Sequence, residues 1–118
     1  MLVATGGALG AVLRYLLTTV SKSFFVSSIY GTFSVNIIGS FLIGYLITSN
    51  AVYNFSENFI KFFLIIGFLG SFTTFSAFSY DVVELINSKK YITSFTYVFV
   101  SIFLCIMFAY LGTLLNKF

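Results

Sequence analysis

The sequence predicts an all-α membrane protein with four transmembrane helices per chain, and three observations carry that prediction. Of its 118 residues, 59% are hydrophobic and only 8% are charged, whereas a soluble domain carries roughly a quarter charged residues. The apolar residues gather into four stretches, each reaching the ~20 residues needed to cross a ~30 Å hydrocarbon core. Only the short connections "SKSFFVSS", "SNAVYNFSE" and "NSKK" separate them. Residues 1–118 therefore form a single four-span transmembrane domain.

The first span runs from about Leu2 to Val20. It lacks a basic leading region and carries Arg14 inside its apolar run, so it is retained as a span rather than read as a cleavable signal. Gly6 and Gly10 are four apart on one helix face, as are Gly7 and Ala11, a pattern that permits close helix approach. Arg14 lies one step further along the Gly6–Gly10 face. Two readings stand open for it: a side chain snorkelling to the headgroups, or a cation in an aqueous vestibule that concentrates anions.

The second span runs from about Ile29 to Thr48, and within it Thr32, Asn36, Ser40 and Gly44 recur every four residues. A lone asparagine would be read as an interhelical hydrogen-bonding residue. A whole polar stripe fits a pathway or a tight dimer seam better.

The third span, about Phe59 to Ile86, exceeds the required length and must tilt, protrude or break. "GFLGSFTTFSAF", Gly67 to Phe78, locates the break near its centre. Gly67 and Gly70 weaken the helix, while Ser71, Thr73 and Thr74 can satisfy freed backbone groups. Broken helices survive at membrane depth only when buried in protein or lining a polar cavity, and their exposed carbonyls can hold a cation. Phe75 and Phe78 follow, three apart on one face, with Ser79 beside them. An aromatic edge is partly positive and stabilises an anion weakly, although with 17 phenylalanines such a pair also fits plain packing. The fourth span, about Tyr91 to Leu115, places Tyr97, Ser101 and Cys105 four apart as a donor track.

Composition also excludes. There is no histidine and a single cysteine, Cys105, so His-based catalysis, a disulfide framework and a transition-metal cluster are all without residues to build them. The net charge of +3 comes from scattered basic residues and does not predict nucleic-acid binding. With alternating helices, Lys61 and Lys117 share one side and Lys22, Lys89 and Lys90 the other. So weak a positive-inside bias favours insertion in both orientations and antiparallel pairing.

The segments "GGALGAVLRY", "GTFSVNIIGSFLIG" and "GFLGSFTTFSAF" together resemble the Fluc (CrcB) family of fluoride channels, whose motifs read GGxxGAxxRY, GTxxVNxxGSFxxG and GFxGxxTTFSTF. The resemblance implies an antiparallel, dual-topology homodimer, or a pair of paralogous chains, with two anion pores and a structural sodium ion at the dimer interface. Phe75 and Phe78 match the pore phenylalanines, and Asn36 the pore asparagine, with Thr32 a turn away. Ser76 and Ser79 lie within the same third-span segment. Tyr97, Ser101 and Cys105 fall on the polar track, and Arg14 on the vestibule arginine. Gly70 and Thr73 match the positions whose backbone carbonyls hold sodium. Four departures accompany the match: Ser71 for a second glycine, Ala77 for threonine, Asp81 for the usual glutamate, and Cys105 for serine or threonine.

The implied function is passive, fluoride-selective export across a bacterial cell membrane, relieving fluoride toxicity, with no enzymatic activity. Hydroxyls, an amide and ring edges would replace the ion's water while leaving binding weak enough for exit. A small multidrug exporter also has four short spans, but depends on a glutamate in its first span, where this chain has Arg14. A non-transporting structural subunit would show small-residue seams without a donor track.

Overall fold

The computed structural model describes residues 1–49 and 56–117 and contains four helical passes. The middle of the second expected connection, residues 50–55, lies outside the described residues. Helix α1 spans Leu2–Phe25 and so absorbs Ser21–Phe25, which hydropathy assigns to the first connection. Local hydropathy falls at Ser21 and Lys22, but nothing there stops a helix. Termination comes at Val26, whose φ of 60° puts it in the left-handed region while its N–H closes onto the Lys22 carbonyl at 2.9 Å.

Helix α2 spans Ile29–Thr48 and α6 spans Tyr91–Leu115. Between them the third pass is made of three pieces: α3, Phe59–Leu69, wound as a π-helix; α4, the single turn Gly70–Phe72; and α5, Phe75–Asn87. The expected break is present, just after Gly70–Phe72. The wide winding before it has no signature in the sequence.

Missing side chains set the packing. A Cβ on Gly6 would collide with the Phe63 carbonyl of α3, and one on Gly10 with the Phe68 carbonyl, so α1 lies directly on the α3 backbone. The same device joins α2 to α6, where Gly44 faces the Ala109 carbonyl and Gly112 the Phe41 carbonyl. Asn116 closes the end of that pair, donating through Nδ2 to the Tyr45 carbonyl at 2.7 Å and the Thr48 hydroxyl at 3.0 Å. Close backbone approach without side-chain burial is how helices associate where lipid supplies no hydrophobic drive.

Two small apolar clusters complete the interior. Val35, Leu69 and Phe72 are buried together beside the break, and Phe78, Leu85 and Tyr97 are buried between α5 and α6. Most other large apolar side chains point outward, as lipid-facing side chains of a multi-pass membrane protein do.

Candidate functional site

At Thr73 the chain leaves the helix, with ψ 154° there and φ −151°, ψ 120° at Thr74. Freed backbone groups must find partners, and side chains from two other helices provide them. Asn36 of α2 grips Thr74 on both sides: the Thr74 N–H donates to Oδ1 at 2.7 Å, and Nδ2 donates to the Thr74 carbonyl at 3.0 Å. Arg14 of α1 donates through Nε to the Ser71 carbonyl at 2.9 Å. Its guanidinium therefore binds the break itself, a role neither of the two sequence readings contains.

The hydroxyls of the break finish the work locally. Thr73 Oγ1 donates back to the Leu69 carbonyl at 2.9 Å. Thr74 Oγ1 caps α5 by accepting the Ala77 N–H at 3.1 Å, and lies 3.1 Å from the Ser76 hydroxyl. These arrangements have a common consequence. In an unbroken helix the Gly70 carbonyl would accept from Thr74 N–H, and the Thr73 carbonyl from Ala77 N–H. Both donors are taken, one by Asn36 and one by Thr74 Oγ1. Gly70 and Thr73 are thus left with carbonyls lacking their helical partners.

Beside the break lies a groove of about 350 Å³, lined by residues of α2, the third pass and α6. Its polar wall is Asn36, Ser40, Thr73, Thr74, Ser101 and Cys105, and Phe75 and Phe78 stand over it. Among the described residues no ionised side chain lines it. Ser101 is 5% exposed, and among the described residues its Oγ has no hydrogen-bond partner. The rings form a file: Phe75 and Phe78 have centroids 5.5 Å apart, and Phe78 and Tyr97 5.2 Å. Phe78 is buried, whereas Phe75 is 76% exposed at the mouth.

The structure thus brings Asn36, Gly70, Thr73, Phe75, Phe78, Ser101 and Cys105 to one groove. The other expected residues stand apart from its wall. Thr32 is buried inside the bundle. The Ser79 hydroxyl donates to the Phe75 carbonyl of its own helix at 2.9 Å, and Ser76 pairs with Thr74. Tyr97 turns its hydroxyl to Asp81 at 3.1 Å. Ser40 and Thr74 join the lining; the four-residue stripe and the threonine pair are the signals that mark them in sequence.

Four apolar passes, with a broken third pass opening on a groove of mixed polar and apolar lining, define a small multi-pass membrane protein built around its break. Residues 1–113 match the family described as "CrcB-like protein, Camphor Resistance (CrcB)", and the chain belongs to that family. It is similar to a protein of Flavobacterium psychrophilum named fluoride-specific ion channel FluC, 42% identical over 98% of this chain and 94% of that one. A protein of the same name from Campylobacter jejuni is 42% identical over 99% and 96% of the two chains. Another, from Methanococcus aeolicus, is 34% identical over 98% and 93%.

Proposed function

We propose that this protein is a passive, fluoride-selective channel of the cell membrane, exporting fluoride that would otherwise accumulate. The observation that carries this reading is the groove wall. Among the described residues it offers hydroxyls, an amide and phenyl rings, with one buried hydroxyl unpartnered and no fixed cation to trap an anion. Such a wall can replace part of an anion's hydration while keeping binding weak enough for release. The names of the relatives supply the ion.

The working unit in this reading is an antiparallel homodimer. The groove is open along one side, with Phe75 exposed at its mouth, and a second copy would close it. The carbonyls of Gly70 and Thr73 fit a structural sodium ion in their donor chemistry, since hard cations take backbone oxygens at helix breaks. One chain provides too few such oxygens for a complete shell, so the ion would be shared across the dimer axis. Bound there, it would neutralise the partial charge of the converging carbonyls.

The test is fluoride efflux from liposomes that contain the purified chain alone, followed with a fluoride electrode. Rapid efflux that needs neither ATP nor a proton gradient is expected. Proton-coupled exchange of organic cations, or no flux from well-folded protein, would overturn the reading.

A further inference from the structure

Asp81 of α5 is only 4% exposed although it lies within the third pass. An ionisable group buried in a span needs partners, and Asp81 draws them from two other helices. Ser28, at the start of α2, donates its hydroxyl to Oδ1 at 3.0 Å. Tyr97 of α6 donates its hydroxyl to Oδ2 at 3.1 Å. Each carboxylate oxygen thus takes one hydroxyl proton, and one side chain ties α2, α5 and α6 together.

Tyr97 has a single hydroxyl proton, and Asp81 holds it. That bond fixes the far end of a ring that is itself 7% exposed. The same ring packs on Phe78, which stands on the groove wall and touches Phe75 in turn. We propose that Asp81 is a positioning residue for the anion route, acting through the Tyr97 hydroxyl to hold the Phe78 ring in place on the groove wall. The inference rests on the channel reading above. It explains why a carboxylate stands here: it accepts from both hydroxyls at once, whereas an asparagine has one acceptor oxygen and could hold the second hydroxyl only if that hydroxyl turned to accept from Nδ2.

The experiment compares wild type, Asp81→Asn, Tyr97→Phe and the double variant, each purified as monodisperse protein and assayed for fluoride and chloride efflux from liposomes. Each single variant should lower fluoride efflux by about tenfold, the scale of one lost hydrogen bond to a charged group. The fluoride-over-chloride preference should fall with it. The double variant should be no slower than Tyr97→Phe alone, because Tyr97→Phe already cuts the link through which Asp81 acts. Ser94→Ala is the control: Ser94 is a buried α6 hydroxyl near Asp81 whose bond to the Val82 carbonyl is long, 3.5 Å, and it should flow like wild type. Tyr97→Phe removes one oxygen and leaves Asp81 its bond to Ser28, so it decides alone if Asp81→Asn does not fold. Wild-type flux and preference in Tyr97→Phe, or single effects that multiply in the double variant, would overturn the inference. A wild type that releases no fluoride brings down the channel reading and this inference together, whereas a leaky wild type with unaffected variants sinks the inference alone.

Discussion

Replacing Asn36 with alanine separates a residue that holds the backbone from one that only meets an ion. Its amide makes two hydrogen bonds to the backbone of one residue, accepting the Thr74 N–H at 2.7 Å and donating to the Thr74 carbonyl at 3.0 Å. Each such bond contributes about 1 kcal/mol net, and each buried group left without a partner costs about 1–3 kcal/mol. Thr74 is 9% exposed, but Asn36 lines the groove, so water entering the vacated space can reach one of the two groups. The expected loss is therefore about 3–5 kcal/mol, from two lost bonds and one group left without a partner. Unfolding in mixed detergent micelles, followed by helical circular dichroism, measures it. Asn36→Asp sharpens the test, because a carboxylate still accepts the Thr74 N–H but cannot donate to the Thr74 carbonyl. It should be destabilised as well, with a charge added to a wall that has none. If Asn36→Ala unfolds at wild-type denaturant while fluoride flux falls, the clamp is not what holds the break and the argument fails.

Phe75→Ile and Phe78→Ile keep bulk but remove the ring edge; both should leave a folded protein and abolish fluoride efflux, while Phe103→Ile, on an exposed face of α6, should not. Full efflux from both would sink their assignment to the ion route. Gly10→Ala drives a methyl against the Phe68 carbonyl and should cost about 1–3 kcal/mol as an overpacking change; wild-type stability in the same micelle titration would show that the α1–α3 contact is loose. Cysteine tags at either terminus, in a Cys105→Ser background, should label from both faces of the membrane if the chain inserts both ways. Labelling from one face only would exclude the antiparallel homodimer. Prolonged dialysis against sodium-free buffer should slow fluoride efflux without any sodium current, and unchanged flux after exhaustive exchange would count against sodium at Gly70 and Thr73.

The parts of this molecule legible in sequence are those that depend on neighbours in the chain. Four passes follow from hydropathy, and the break follows from Gly67, Gly70 and the threonine pair. The α1 seam follows from glycines four apart. What brings Arg14 to Ser71 and Asn36 to Thr74 is contact across 57 and 38 residues, and no local pattern encodes it. Position on a helix face also does not separate a groove-facing polar residue from a backbone-facing one: the stripe containing Asn36 suggested a pathway or a tight dimer seam, and its amide lines the groove while also gripping the Thr74 backbone, with one Nδ2 proton left over.

The hydroxyls make the same point more sharply, and they show what a conduit requires. Thr18 donates to the Arg14 carbonyl at 2.9 Å, Ser34 to Tyr30 at 2.7 Å and Ser79 to Phe75 at 2.9 Å, each within its own helix. A serine or threonine in a span is thus often already satisfied, and its spacing says little about a pathway. Ser101 sits on the same kind of apolar helix, yet it is buried against the groove with its hydroxyl unmatched. Cost and place discriminate together, since the Ser21 hydroxyl is also buried and unmatched among the described residues but lies away from the groove. An unmatched buried hydroxyl is unfavourable in the resting protein, and it is tolerable where a passing ion or its water can accept its hydrogen bond. By that measure the Ser101 hydroxyl is open to the groove, which Cys105 also lines, whereas Tyr97, four residues earlier, already donates its hydroxyl hydrogen bond to Asp81. In the proposed channel the donor track along α6 would therefore divide into an anchoring end and a solvating end, with the division between Tyr97 and Ser101.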